Sequence, residues 1–547
     1  MNFKIIKLKI FFLAILFFAI FGMSSKASAA TYYVKNGGND SLSGIDDANA
    51  WAHCPGMVEW TGSTVLTSGD VVYFNTQGSW ISELAPTLIT KTGVTYRGKG
   101  YGTGTQQRAF LKAINNGTDP TKSYGVVQIG VSNVLFGGFE IDGGSTNVFG
   151  IDACHTFATA DFGHIAIDDN VVHDCGSAAQ GSNGIYIGTV QPDGLTVSDI
   201  TMTNNVVYNS GWGGISVYPT WARTAYVRDV IIRNNEVYNS SMSADKSSGG
   251  LRLKDDITNL VAEYNNIHDN YYGVTVECSE YESTKCMTGV TLRHNLIYSS
   301  RYSGISFTPR GFAIEMDIYG NIIYNSGSSG SPVSTGVHFT TADYGLVRDS
   351  KNSIINFYNN TVAQISTTNT DYTQGQCITT GGVVTGLTAN VRNNIFWQHQ
   401  NNKNTALIQS DVLNHSNNLY YQDNALSHPE IKWVQVDASA YDASDLASWE
   451  TSGVQVTNPL FTGGELPTGF SGTYGTDMAP NADYFKITSG DALNNGATLG
   501  SPYDGNINTA GTANPIARIA GAYDIGAYEY QGTDIISPSA PSGLSVN

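Results

Sequence analysis

One stretch of eight residues, Gly249-Gly250-Leu251-Arg252-Leu253-Lys254-Asp255-Asp256, gathers charge in a chain where only 14% of residues are charged. Leu251 and Leu253 alternate with Arg252 and Lys254. A strand here would bury the leucines and present both cations on its other face, because side chains two apart share a face. The strand then runs into two carboxylates. Cations beside carboxylates are the groups needed to remove a proton and to stabilise the negative charge that develops as it leaves.

The rest of the chain reads as copies of a scaffold around that stretch. Glycine leads a recurring strand at Gly150, Gly184, Gly214, Gly250, Gly273, Gly304 and Gly336, and the first and third residues after it are apolar in every copy. A second repeat, asparagine followed by mostly apolar residues, begins at Asn170, Asn205, Asn235, Asn265, Asn295, Asn321, Asn360 and Asn394, with steps of 35, 30, 30, 30, 26, 39 and 34 residues. Periods of that size mark a solenoid whose repeats bury their apolar faces only against their neighbours. The apolar spacing is two, so the coils are built of strands. The repeated asparagine is expected at a tight turn, tolerating a left-handed backbone and bonding the chain above and below.

Coils stacked about 4.8 Å apart would line up two outward columns. The second position after each glycine gives Asp152, Tyr186, Ser216, Arg252, Thr275, Ser306 and His338; the fourth gives Cys154, Gly188, Tyr218, Lys254, Glu277, Thr308 and Thr340. Tyr218, Lys254 and Glu277 then stack on consecutive rungs with Arg252 beside them. Asp255 and Asp256 end the strand close to a loop carrying Glu280 and Glu282, and Arg310 falls two rungs further on. His338 lies three coils from Lys254, about 14 Å away, within reach of a different unit of a bound chain.

Plainer readings of the same residues exist. The cations and Glu277 would form a solvated ion ladder contributing about 0–1 kcal/mol. Asp255-Asp256 would simply turn the chain. Tyr186 and Tyr218 are ordinary on a β surface. The column His173, Tyr208, Tyr238, His268, Tyr298 and Tyr324 follows the asparagine turns and reads as structural, and His155 and His338 read as surface residues.

Three lysines precede an apolar run from Ile10 to Phe21, and Ala27-Ser28-Ala29 follows as a small-residue cleavage site. Residues 1–29 therefore read as a secretory signal, and the chain is expected to be secreted or held at the cell surface. No second stretch is long enough to span a membrane. Losing the four lysines of the signal takes the formal charge from −18 to near −22 (−18 minus 4). Such acidity argues against nucleic acid, whose binding rests on Lys and Arg neutralising phosphates. Residues 30–115 are expected to form an N-terminal cap and first coils, with Trp51, Trp60 and Trp80 as its bulk. Residues 116–421 carry the coils. Residues 422–533 would close the last coil, ending in a strand at Asp524-Ile-Gly-Ala-Tyr-Glu-Tyr. Residues 534–547 read as a Pro/Ser linker that looks like the start of a truncated fibronectin type III domain. Cys278 with Cys286, and Cys154 with Cys175, are candidate disulfides; Cys54 and Cys377 have no evident partner.

The glycine-led strands, the asparagine ladder, the Tyr-Tyr-Val…Gly-Asn-Asp start and the final Asp-Ile-Gly-Ala-Tyr-Glu-Tyr resemble the right-handed parallel β-helix superfamily of pectate-lyase type, over residues 31–531. The resemblance implies an all-β, single-stranded right-handed parallel β-helix. That superfamily holds polysaccharide lyases, glycoside hydrolases, epimerases and non-catalytic surface proteins, and fold alone does not choose among them. Its lyases use Lys or Arg as base and Ca²⁺ held by carboxylates to neutralise the substrate. By that resemblance Lys254 would be the base, Arg252 the carboxylate binder or proton donor, and Tyr218 the acid or a stacking platform. Asp255, Asp256 and Glu277 would hold Ca²⁺, and Tyr186, Arg310 and His338 would touch substrate. The signatures of the superfamily's chondroitinase-like lyases, calcium pectate lyases and alginate epimerases are absent, so these roles rest on chemistry and position. The expected function is β-elimination on a uronic acid polysaccharide, by a monomer. The alternatives are a glycoside hydrolase on the same fold and a non-catalytic adhesive repeat protein.

Overall fold

The structure, a computed structural model, describes residues 29–83, 85–115, 125–145, 148–153, 160–176, 181–188, 195–219, 226–240, 248–278, 285–308, 313–326, 335–339, 349–364, 376–380, 385–399, 408–409, 413–423, 430–434, 439–442, 450, 452, 454–455, 460–461, 485–487, 489–503, 505–506, 516–517 and 523–528. The signal segment, the linker, Cys154, Glu280, Glu282 and Arg310 lie outside the described residues, as do parts of the longest loops.

Each coil lays down three strands. Around residue 205 these are Thr196–Thr203, Val206–Ser210 and the glycine-led Ile215–Val217. Their copies stack into three sheets of thirteen strands each. Pairing along the coils is parallel, as a chain that always winds the same way requires. Val197, Ile200 and Met202 point inward, and the residues between them are less buried, so period-two patterning drives the coil. The inward residues of all three sheets form one continuous core. Among the described residues no helix is long and apolar enough to cross a membrane.

The glycine frame holds rung by rung. Ile151, Ile185, Ile215, Leu251, Val274, Ile305, Val337 and Ile378 make one inward column. The asparagine ladder holds as well. The backbone N–H and side-chain amide of Asn235 both donate to Asn265 Oδ1 at 3.0 Å. Asn265 repeats this onto Asn295, at 3.0 and 2.9 Å, and also donates to the Ile232 carbonyl of the preceding coil. The chain of amides runs from Asn170 to Asn418 without a break. One expectation is corrected. The left-handed residue is the one before each ladder asparagine, for example Asn204 at φ 56° and Asn234 at φ 55°. The ladder asparagine itself faces inward, fully buried, where its amide serves the coil above and the coil below.

Both ends are closed. At the start, Trp51 is fully buried, stacked on Tyr32 at 4.6 Å with Trp60 edge-on at 5.1 Å. At the end, the ladder needs a final acceptor, and the carboxylate of Glu450 supplies it, taking the Asn418 backbone N–H at 2.7 Å. The C-terminal residues do more than close the last coil. Phe485, Ile487, Ile525 and Ala527 fold back over the outer face of the third sheet, against Tyr298, Tyr324, Ile395 and Trp397. The segment expected as a final strand is not one: Ile525–Ala527 is bent, with Gly526 at φ 102°. A Cβ at Gly526 would stand 2.6 Å from Ile395 Cδ1, so close docking rather than strand pairing fixes this segment.

Replacing Asn265 by Ala orphans the Asn235 backbone N–H; it also removes one bond each from the Asn235 amide, which keeps the Met202 carbonyl, from the Ile232 carbonyl, and from Asn295 Oδ1, which keeps the backbone N–H of residue 265. Each buried orphan costs about 1–3 kcal/mol. Chemical denaturation should show Asn265→Ala losing about 1–3 kcal/mol, while Asn414→Ala, on the exposed surface, stays within about 0.5 kcal/mol of the parent.

Candidate functional site

The outer face of the glycine-led sheet carries the predicted column in register: Gln128, Asp152, Tyr186, Ser216, Arg252, Thr275, Ser306, His338 and Thr379. Beside it Lys254 pairs with Glu277, and Glu277 with Thr308. Strand pairing thus brings Arg252, Lys254 and Glu277 together from residues far apart in sequence.

The solvated-ladder reading fails on burial. Arg252 is 4% exposed and Glu277 3%. Glu277 Oε2 lies 3.5 Å from Lys254 Nζ and 3.8 Å from Arg252 Nη2. Water does not screen these charges, so each depends on the others far more than an exposed pair would. Tyr218 forms one wall: its ring centre is 4.9 Å from the Arg252 guanidinium and 4.9 Å from the Lys254 ammonium. A second ring, Trp212, lies 5.9 Å from the same guanidinium. Cations over aromatic faces are held by the ring quadrupole, more strongly when desolvated.

Tyr186 is buried behind this group. Its hydroxyl donates to the Tyr218 carbonyl at 2.6 Å, and its ring meets Tyr218 edge-on, so it braces Tyr218. His338 is buried three rungs from Arg252 in the same column. Asp255 and Asp256 make the corner into the next strand. Asp255 is left-handed at φ 61° with its N–H on the Glu277 carbonyl, and the Asp256 carbonyl accepts from Val227. Glu277 stands immediately before a disulfide, Cys278–Cys286, that pins the end of its strand. The other candidate pairing fails: Cys175 is a buried free thiol.

These residues do not fit a Ca²⁺ site. Two cations already lie within 4 Å of Glu277, and a third positive charge there would be repelled. Among the described residues the group of three that converges closely enough for a metal is Asp142, His173 and Asp174, on another face, where Lys112 already caps Asp142 at 2.6 Å. The His173–Tyr208–Tyr238–His268–Tyr298 column is a stack of rings 4.8–5.1 Å apart on the third sheet, away from the cations, as the structural reading expected.

Trp212 escaped the sequence reading because it belongs to neither repeat. The signal was there: a lone tryptophan in Gly211-Trp212-Gly213-Gly214, leading into the strand that neighbours the two cations. Asp152, in the same outward column, is fully buried, and burial pushes its carboxyl well above the usual carboxylate range.

Residues 125–323 match the family model described as right handed beta helix region. Together with the three stacked parallel sheets, this match shows the fold of a right-handed parallel β-helix. No curated protein matches it. Solved structures similar to it include a pectate lyase, Pel9A, at 13% identity and a TM-score of 0.38, covering 92% of this chain and 98% of that one. Another is XylC in complex with xylose, at 12% identity and a TM-score of 0.40, covering 72% and 83%. A third is the A-module of the mannuronan C-5 epimerase AlgE4 of Azotobacter vinelandii, at 16% identity and a TM-score of 0.34, covering 63% and 88%. Likenesses this distant say nothing about activity.

The Asp152 carboxyl keeps its proton in the folded chain at pH values where the unfolded chain has lost it. Below about pH 4 both states are protonated and the group is neutral to stability; as pH rises from there toward the folded pKa, the unfolded state gains and stability falls. Asp152→Asn, which stays neutral, should remove that slope. Denaturation midpoints measured across this range should diverge in favour of the variant as pH rises; parallel curves would contradict the buried, protonated acid.

Proposed function

We propose that the protein is a polysaccharide lyase that cleaves an acidic glycan by β-elimination at the strand bearing Arg252 and Lys254. The observation that carries this reading is a buried Arg252 and a partly buried Lys254 against the buried Glu277, walled by Tyr218 and Trp212. β-Elimination on a uronic acid needs its carboxylate neutralised so that the neighbouring C–H becomes acidic. Arg252 suits this task, since a guanidinium fork matches a carboxylate in two parallel hydrogen bonds. Lys254, in its neutral form, takes the proton. The electron pair of the broken C–H bond becomes a carbon–carbon double bond, the glycosidic C–O bond breaks, and the Tyr218 hydroxyl supplies the proton to the departing oxygen. Glu277 positions both cations. No step is assigned to a metal.

The hydrolase alternative, which would pair Glu277 with Asp255 or Asp256 at the strand's end, finds no second carboxylate near Glu277 among the described residues of the two outward columns. It needs two carboxylates about 5–9.5 Å apart. Asp152 and Glu277, the carboxylates of the two outward columns, stand four rungs apart, about 19 Å. Action outside the cell belongs to the same proposal and rests on the N-terminal sequence.

The test is ultraviolet absorbance of the unsaturated uronate product, read with a panel of uronic acid polysaccharides. Lys254→Ala should lower the rate by about 10²–10⁴-fold, the range general-base groups supply. Arg252→Lys, which keeps a positive charge beside Glu277 but loses the guanidinium fork, should raise KM. Full activity in Lys254→Ala, or no unsaturated product from any polyuronate, would refute the assignment.

A further inference from the structure

Arg252 lies close to two aromatic rings that differ in one respect. Tyr218 is buried, whereas Trp212 is only partly buried. Trp212 is therefore the wall of the cation group that reaches the surface. Its position is tightly fixed. The Trp212 backbone N–H donates to the Ser182 carbonyl at 2.8 Å. Gly181 lies so close that a Cβ there would fall 1.8 Å from the indole ring. On the other side, a Cβ at Gly213 would strike Ser216 Oγ at 2.1 Å and come within 3.5 Å of Arg252 Cβ. Asn183 ties these pieces together, its Oδ1 accepting from the Gly213 N–H at 2.9 Å and from the Ser216 hydroxyl at 2.7 Å. Three adjacent coils thus contribute Gly181–Asn183, Trp212–Ser216 and Arg252 to one packed unit.

We propose that Trp212 forms a sugar-ring subsite beside Arg252, taking a pyranose that bears a carboxylate. The inference rests on reading this face as the site of an acidic glycan. The apolar face of a pyranose packs on an indole, and a carboxylate at the ring's edge would then meet the guanidinium next to it. A neutral sugar would gain the stacking and miss the ion pair, so the subsite selects uronic acids by requiring both contacts at once. The ring is already packed against Gly181, so little side-chain freedom is lost on binding.

The experiment is isothermal titration calorimetry of the full chain with an oligosaccharide of galacturonate and with a neutral galactose oligosaccharide of equal length. It uses the Lys254→Ala background so that nothing is cleaved. Trp212→Ala should weaken uronate binding about tenfold, the size expected for losing one well-packed aromatic contact, and Trp212→Phe should recover most of it. The neutral sugar should bind at least tenfold more weakly than the uronate to the Lys254→Ala parent. Equal uronate affinity with and without the indole would overturn the subsite while leaving the lyase reading intact. Uronate binding that depends on Trp212 but is accompanied by no elimination in the wild type would uphold the subsite and remove the lyase. No binding of uronate by the parent would overturn both.

Discussion

A single file of buried amides sets the geometry on which everything else depends. Each ladder asparagine spends its donors and its acceptor on the neighbouring coils, with bonds of 2.8–3.2 Å, and none of these groups reaches water. A coil that slipped by one residue would leave several of them unpaired in the interior and would also turn its apolar residues outward. The ladder and the core therefore enforce the same register. That register, and no local feature of Arg252 or Lys254, sets Glu277 opposite Lys254 and Tyr218 beside both. Glu450 completes the arrangement by accepting from the last asparagine, which would otherwise end the file on buried donors.

The face selected by that register has an unusual electrostatic character. Parallel sheets are usually covered on both faces, and their strands are then apolar on both sides. Here the outward column is polar and yet buried along its length, from Gln128 to Thr379. Two cations sharing one carboxylate in such surroundings cannot be relaxed by water, so their mutual distances are held firmly and an incoming carboxylate would meet preformed positive charge. Placing two aromatic rings close to Arg252 adds attraction without adding groups that compete for its hydrogen bonds. The same burial that makes the cluster costly to assemble makes it suited to an anionic partner.

The repeats made much of this legible. Period-two spacing behind each glycine, and asparagines at steps near 30 residues, are properties of the sequence, and they located the sheets, their register and the Arg252–Lys254–Glu277 group. What escaped lies between the repeats. Trp212 sits two residues before a repeat glycine, at a position whose residue type changes from coil to coil (Ser182, Tyr271, Tyr302). Burial of the outer face depends on what packs over it, which no strand pattern encodes. The residues around Gly526 alternate like a strand, and only their docking on Ile395 shows that a bend was required. The left-handed turn residue was placed one position late, because the ladder asparagine was the more conspicuous of the two. Asp255 and Asp256 form the corner that the plainer reading of the pair expected.

The central claim is that an acidic sugar lies on the cation strand, with its carboxylate at Arg252 and its ring on Trp212. A crystal structure of the Lys254→Ala variant with a short uronic acid oligosaccharide tests it most directly. The account predicts a carboxylate within hydrogen-bonding distance of the Arg252 guanidinium and a pyranose packed on the indole. Sugar bound on a different face, with Arg252 still turned wholly to Glu277, would contradict it.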